Sequence, residues 1–379
     1  MGSRAPVCTM RLLTVTHFFG SHGGGIELVA VHLNRELAAL GHHTSWAAAD
    51  EGAEPDMGAT RPVKLRCVNW LEQATGLPMP IPLPGSIWRL WHAVAQSDAV
   101  IVHDALYVSS ILGLLAARWH RKPAILIQHI AEIPFSNRLM RAVMALATGL
   151  VTRPMLRAAD QVFFISATVR DRFKDVRLRR PARLQFNGVD SDLFHPAGPA
   201  GVPRDGTILF VGRFVEKKGL SILAELARLR PELRFVLAGR GPIDPKTWGL
   251  PNVTVLPHQS PRALSDLYRR ASLLLLPSVG EGFPLVVQEA MASGLPVVCG
   301  KDTAAADPEA SRWFASADID LGDPRGTASR IAAVIDALPA DPPPPEMAEQ
   351  ASRRYSWPGM ASAIVDTIVA MSQPGIPAL

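Results

Sequence analysis

Cysteine is nearly absent. The 379 residues hold only Cys8, Cys67 and Cys299, odd in number and far apart. Such spacing supports neither a disulfide framework nor a thiolate metal cluster, and it points to a reducing compartment. No apolar run approaches the roughly 18 residues of a membrane span. Met1 to Val7 lacks an apolar core of signal-peptide length, so a cytoplasmic protein is expected. There is no internal repeat, no nucleic-acid motif and no cluster of metal ligands, so neither nucleic acid nor a metal or other cofactor is expected. Charged residues are 19% and apolar ones 48%, which excludes a disordered chain. The length suffices for two domains with sizeable cores.

The net charge of +5 is unevenly spread. Up to His195 there are 21 Lys and Arg against 15 Asp and Glu; beyond it, 18 against 19. The basic half can face something anionic: a phosphorylated acceptor or a membrane surface.

The most informative stretch is Pro277 to Gly300. Leu273 to Leu276 is short and apolar, as a buried strand is. A loop follows, Val279-Gly280-Glu281-Gly282-Phe283. Pro284 suits a helix's first turn. Leu285, Val286, Glu289, Ala290 and Met291 continue at helical spacing, Ser293-Gly294 stops the helix, and Leu295 to Cys299 reads as the next strand. The helix start from Pro284 to Val286 offers free N–H groups and the positive dipole end to a phosphate. Glu289 can accept two hydroxyl donors at once, as a ribose diol offers, and Glu281 can do the same for another polyol. Taken singly, each glutamate reads more readily as a capping or solvated residue, though the apolar neighbours of Glu289 argue against a solvated one.

Glu281-Gly-Phe-Pro-Leu with Glu289 eight positions on resembles the signature of retaining glycosyltransferase family 4, of GT-B fold. The likeness runs from Gly23 to Tyr355 in several separate motifs. It implies two doubly wound Rossmann-like domains facing a cleft. These would be residues 1–195 for the acceptor and 196–355 for a nucleotide-diphosphate sugar, with a terminal helix in 356–379 crossing back to the first.

Along the chain, Met10 to Thr16 reads as a first strand, followed by Gly23-Gly24-Gly25 and a helix from Ile26 to Leu40. By themselves these glycines are a weak phosphate signal; the resemblance implies that Gly24 and Gly25 lie beside the donor diphosphate and the acceptor, with Glu27 matching the family's Glu. Trp70 to Gly85 reads as a surface loop. Ala99 to His103 and Ala124 to Gln128 read as strands, the latter ending in His129, where open α/β sheets bind ligands. The resemblance places such a His near the transferred carbon. Pro134 to Asp160 reads as an amphipathic helix with apolar Leu139, Val143, Met144, Leu146 and Leu150 flanked by Arg138, Arg141, Arg153 and Arg157. It is either an anionic-membrane contact or an ordinary packed helix.

Phe186-Asn187-Gly188-Val189-Asp190 resembles the turn closing the first domain, and His195 to Asp205 reads as the linker. The second alternating series begins at Thr207. Gly212-Arg213 ends its first strand, and Lys218-Gly219 opens the next helix; Arg213 and Lys218 can converge on one diphosphate. The resemblance makes them the phosphate clamp and disfavours Lys217. Gly239-Arg240-Gly241 resembles the region beside the base, and His258 reads as a loop residue. Gly300-Lys301-Asp302-Thr303-Ala304 departs from the family's second glycine turn.

The implied catalytic residues are His129, Arg213, Lys218 and Glu281. The implied donor contacts are Gly24, Gly25, Gly212, Arg213, Lys218, Gly241, Glu281, Gly282, Phe283, Pro284, Leu285, Val286 and Glu289. The expected reaction is retaining transfer from GDP-mannose or a UDP-sugar to a saccharide or lipid-linked saccharide, in bacterial polysaccharide or lipopolysaccharide assembly. An epimerase on the same fold and a non-catalytic, membrane-associated nucleotide-binding subunit are the alternatives.

Overall fold

In the computed structural model, residues 9–22, 24–50, 57–69, 79–130, 138–197, 204–339 and 343–372 are described. Gly23, the loop from Trp70, the Pro134 start of the basic segment, Asp341-Pro342 and the residues beyond 372 lie outside them.

Fifteen short strands among the described residues carry the molecule. The first set is β1 (Arg11–Phe18), β2 (His43–Ala49), β3 (Arg61–Leu65), β4 (Cys67–Val68), β5 (Ile81–Pro82), β6 (Ala99–His103), β7 (Ala124–Gln128), β8 (Gln161–Phe164) and β9 (Arg183–Leu184). The second is β10 (Thr207–Val211), β11 (Arg234–Ala238), β12 (Val253–Leu256), β13 (Leu273–Leu276), β14 (Val297–Gly300) and β15 (Phe314–Ala317). They form a seven-stranded sheet in the order β3-β2-β1-β6-β7-β8-β9 and a six-stranded sheet in the order β12-β11-β10-β13-β14-β15, while β4 and β5 pair apart. Every pairing within the two large sheets is parallel. Helices cover both faces, which is why β6, β7 and β13 are buried along their whole length and read as apolar runs, interrupted only by His103 and Gln128 at the ends of β6 and β7. This is the two-domain GT-B architecture.

Strand order reverses between β1 and β6 in one sheet and between β10 and β13 in the other. Crevices open at the carboxyl ends of strands at such points.

The chain crosses between the sheets twice. Phe186, Val189 and Phe194, which precede His195, already pack in the second core. The Trp357–Ser372 helix packs its Trp357, Met360, Ile364 and Ile368 with Leu12, Val29, Leu33 and Ile101 of the first. The crossings touch: Val189 bridges to Ser356, and a Cβ on Gly188 would lie 2.3 Å from the Trp357 nitrogen. Buried Asp307 ties this hinge, accepting from the Tyr355 hydroxyl at 2.9 Å and pairing with Arg354. The Ala167 N–H donates to the Ala306 carbonyl at 2.8 Å and joins the two halves again.

Two expectations need correction. The Trp70 to Gly85 segment is not loop throughout: it contains β5, and the Pro84–Gln96 helix begins inside it, started by Pro84 in the first turn. The basic amphipathic segment is not one regular helix. It runs from Arg138 to Ala147, passes through a π-helical turn at Thr148–Thr152, and resumes as Arg153–Ala158. Its buried side chains include Met144, Thr152, Met155 and Leu156.

Candidate active site

Glycine lets three loops of the second domain interlock. Gly219 has φ +74, and a Cβ there would stand 2.3 Å from the Pro277 carbonyl oxygen. That contact sets the Glu216–Lys218 turn against the strand-to-helix loop after β13, and the Val279 N–H donates to the Lys217 carbonyl at 3.0 Å. Likewise a Cβ on Gly239 would meet the Gly212 carbonyl oxygen at 1.9 Å, and one on Gly241 the Phe214 carbonyl at 2.3 Å. The loops after β10, β11 and β13 thus meet at the switch point of the second sheet.

Cations collect there around one carboxylate. Lys218 Nζ is 2.9 Å from Glu281 Oε1, and Lys217 Nζ is 4.0 Å from the same oxygen. Burial alone would push the Glu281 carboxyl up. The two lysines more than offset it and hold the group below the ordinary range, ionised. Lys217 is lowered, first by burial and then by the like charges of Lys218 and Arg213, against the pull of Glu281. So Lys217 and Lys218 share a single anion, with Arg213 close enough to act on Lys217 as a like charge. Both lysines take part; Lys217 is the more exposed.

The Leu285–Ala292 helix starts one residue later than expected. Pro284 is its N-cap, in extended backbone, with no side-chain cap, so the first-turn N–H groups of Leu285 and Val286 point out of the helix end. Phe283 anchors the loop, stacking edge-on against Phe186 and Tyr355 at 5.7 and 5.5 Å. Glu289 projects from the second turn. Its Oε2 accepts from the buried Tyr268 hydroxyl at 2.9 Å. Burial pushes Glu289 up to about 7, against the Tyr268 hydrogen bond, which lowers it. One oxygen is thus partly engaged, and Oε1 remains for a ligand.

The first domain meets this loop directly. A Cβ on Gly282 would sit 2.2 Å from the His129 carbonyl oxygen, so only glycine lets the Glu281 loop close on the end of β7. His129 is 4% exposed, and its Nε2 lies 3.0 Å from Nδ1 of fully buried His103. On β1, which pairs with β6, the penultimate residue His17 has its Nε2 3.0 Å from Glu27 Oε1, and its ring stacks on Tyr107 at 3.7 Å. Gly24 N-caps the Gly25–Ala39 helix and lies against the Glu27 carboxylate, which a Cβ there would meet at 2.2 Å. The structure thus brings together Gly212, Arg213, Lys217, Lys218, Glu281 and Gly282, sets His129 against them, and anchors Glu289 on Tyr268. Gly241 joins through Phe214, and Gly25 is exposed at its helix start.

Sequence reasoning missed Tyr268, His103 and Asp104. Tyr268 is one of only three tyrosines, a polar-tipped residue on the apolar face of the Pro261–Arg270 helix, and that rarity was its one signal. The His-Asp pair at the end of β6, like His129 at the end of β7, occupies a strand's carboxyl end. Among the described residues no group of three or more His, Cys, Asp or Glu could hold a metal ion.

Two doubly wound parallel sheets, with basic residues gathered at the switch point of one and buried histidines at the strand ends of the other, place the chain in the class of two-domain GT-B proteins. Comparison with known proteins agrees. The profile for Glycosyltransferase Family 4 matches residues 23–193, and that for glycosyl transferases group 1 matches residues 205–336. The chain is 29% identical to D-inositol 3-phosphate glycosyltransferase 2 of Catenulispora acidiphila, over 90% of this chain and 89% of the relative. It is 27% identical to alpha-maltose-1-phosphate synthase of Mycobacterium tuberculosis, over 72% and 80%. Among solved structures it is similar in fold to sucrose-phosphate synthase from Thermosynechococcus elongatus (TM-score 0.69, 17% identity, 96% and 99% of the two chains). It is similar also to Anabaena HepE in complex with UDP-glucose (TM-score 0.67, 16% identity, 95% and 100%). The chain belongs to the group 1, family 4 glycosyltransferases and is a glycosyltransferase that draws on a nucleotide-sugar donor.

Proposed function

We propose that this enzyme is a retaining hexosyltransferase, taking its sugar from GDP-mannose or a UDP-sugar and passing it to a saccharide or lipid-linked saccharide in bacterial polysaccharide or lipopolysaccharide assembly. The observation that carries the reading is the pair Lys217 and Lys218 on Glu281, with Arg213 beside Lys217, closed against His129. Charge develops on the departing nucleoside diphosphate in the transition state, and preorganised cations act most strongly there. Lys218 has three N–H donors; one serves Glu281, and two remain for phosphate oxygens. Arg213 adds a planar fork, and the N–H groups of Leu285 and Val286 complete the cradle. Glu289 takes the ribose hydroxyls, and Glu281 those of the sugar. His129 stands by the transferred carbon, with Gly24 and Gly25 on the acceptor side.

A diphosphate clamp has no role in hydrolysis of a simple glycoside, and that argues against Glu281 and Glu289 acting as a hydrolytic acid and nucleophile. Front-face attack, with the leaving oxygen assisting deprotonation of the acceptor, follows by analogy with the family.

A thermal-shift series with nucleotide sugars tests the donor, since a true donor stabilises the fold by linkage. Nucleotide release with and without a saccharide acceptor separates the transferase from an epimerase and from a non-catalytic subunit. If no nucleotide sugar raises the melting temperature, the reading fails.

The acceptor's lipid-linked nature has its own motive. Val143, Leu146 and Leu150 are 47, 62 and 68% exposed along the Arg138–Ala147 helix and the π turn, beside exposed Arg141 and Arg157. No helix among the described residues is long and apolar enough to cross a membrane; an apolar strip edged by arginine suits adsorption to an anionic one. Flotation with anionic but not neutral vesicles is expected, falling with salt. The triple change Val143→Ser, Leu146→Ser, Leu150→Ser should abolish it while donor binding persists. Equal flotation of that variant would remove the membrane reading.

A further inference from the structure

We propose that His103 and Asp104, consecutive at the end of β6, are positioning residues that hold His129 from two sides, His103 selecting its tautomer and Asp104 fixing its backbone. This rests on the reading that His129 faces the transferred sugar.

Asp104 is one of two non-glycine residues among those described that adopt positive φ, at +56. That conformation is disfavoured for L-residues, and asparagine and aspartate tolerate it best. It leaves the carboxylate facing β7. Oδ1 accepts from Gln128 Nε2 at 2.5 Å and from the N–H groups of His129 and Ile130, each at 3.4 Å. The Ala105 N–H donates to Gln128 Oε1 at 3.1 Å and completes the lock. Asp104 is 2% exposed, so these bonds act in a dry site.

His103 addresses the ring. It has no exposed surface, and its Nε2 has no partner while its Nδ1 meets His129 Nε2. Neither nitrogen contacts a carboxylate, and a charge in such a place is costly. Burial first, then neighbouring histidines, depress both rings, with His103 down to about 3 although Glu27 opposes that. Both are neutral, so one ring donates and the other accepts. If His129 donated, His103 would carry its proton on Nε2, an orphaned buried N–H, a rare defect in folded proteins. If His103 donates, it is left with only a bare lone pair, and His129 must carry its proton on Nδ1. The clamp thus leaves His129 with one donor, Nδ1–H, and a fixed carbonyl. That carbonyl is the atom against which Gly282 packs, so the same two residues also set the seat of the Glu281 loop.

The decisive experiment is long-range proton–nitrogen NMR of the full chain labelled with 15N-histidine. His129 is identified by the signals lost in His129→Gln. Wild type should show His129 protonated on Nδ1 alone. His103→Asn, whose amide nitrogen stands in for Nδ1, should keep that pattern, and His103→Leu should lose it. An Nε2–H tautomer in wild type, or an unchanged His129 in His103→Leu, overturns the proposal.

Hydrolysis of UDP-glucose or GDP-mannose supplies the second readout. His103→Leu should lower kcat by up to about 100-fold, the scale of a small misplacement of a reacting group. KM and UDP affinity should change by no more than about twofold, as for an interaction made only in the transition state. His103→Asn should recover most of the rate. Parallel loss of UDP binding would mark a merely structural role and overturn the proposal. An unchanged hydrolysis rate in His129→Gln would instead refute the role of His129 itself, while the tautomer result stands or falls separately.

Discussion

Tyr268→Phe isolates one hydrogen bond in the donor site. The Tyr268 hydroxyl donates to Glu289 Oε2 at 2.9 Å, and Phe fills the same buried volume without the donor. Glu289 is pushed up to about 7 by burial, with the Tyr268 bond as the counterweight. Hydrogen bonds to charged groups contribute roughly 1.5–3 kcal/mol, and one pKa unit is about 1.4 kcal/mol. Losing the donor should therefore raise Glu289 by about one to two units. If the ionised carboxylate holds the ribose, affinity for a nucleotide sugar should climb through about pH 7 in wild type. In Tyr268→Phe the same climb should come one to two units later, with affinity at pH 7 lower by about tenfold. A nucleotide sugar is the right ligand because its diphosphate does not titrate in this range. Calorimetric titrations from pH 5.5 to 9 read the two midpoints, and Glu289→Gln should flatten the profile. The stability sign is separate. A carboxyl raised on folding contributes stability below its unfolded value, near 4.5, and loses it as pH rises through about 7. Glu289→Gln should therefore melt higher than wild type at pH 8 and close to it at pH 4. A pH-independent affinity in wild type, or an unmoved midpoint in Tyr268→Phe, would refute the reasoning.

Arg213→Ala and Lys218→Ala should each slow transfer, and together by less than the product of the two effects, because both act on one diphosphate; multiplicative losses in a double-mutant cycle would mean separate sites. Glu281→Gln should depress turnover while UDP and GDP bind nearly as before, read by calorimetry beside initial rates. Gly219→Ala should destabilise by more than about 1 kcal/mol, because it sets a positive-φ backbone against a fixed carbonyl; a denaturant midpoint equal to wild type would contradict the interlocked loops.

The two sheets were legible because their strands are buried on both faces. Leu273–Leu276 is a plain apolar run and Ala124–Gln128 an apolar run with one terminal Gln, both between turn signals, and both are strands. The Glu281 loop was legible because glycine, proline and a helical period follow one another there. Three features were not. The π turn at Thr148–Thr152 leaves no mark in composition and breaks a pattern that reads as one helix. The Pro84–Gln96 helix hides in a segment whose proline and glycine also suit a loop. The partners of the site residues, Tyr268 for Glu289 and His103 with Asp104 for His129, come from other strands and helices. Pairings across 21 to 26 positions are set by topology, and no local spacing encodes them. Lys217 shows the same limit: its neighbour Lys218 matched the motif, but both side chains reach Glu281.

The most direct measurement of the central claim needs no known acceptor. The enzyme is given UDP-glucose or GDP-mannose, whichever raises its melting temperature, and the sugar released to water is followed by proton NMR before mutarotation. Retaining chemistry from these α-linked donors should yield the α-anomer first, and Lys218→Ala should slow its appearance. First release of the β-anomer, or release at a rate indifferent to Lys218, would contradict it.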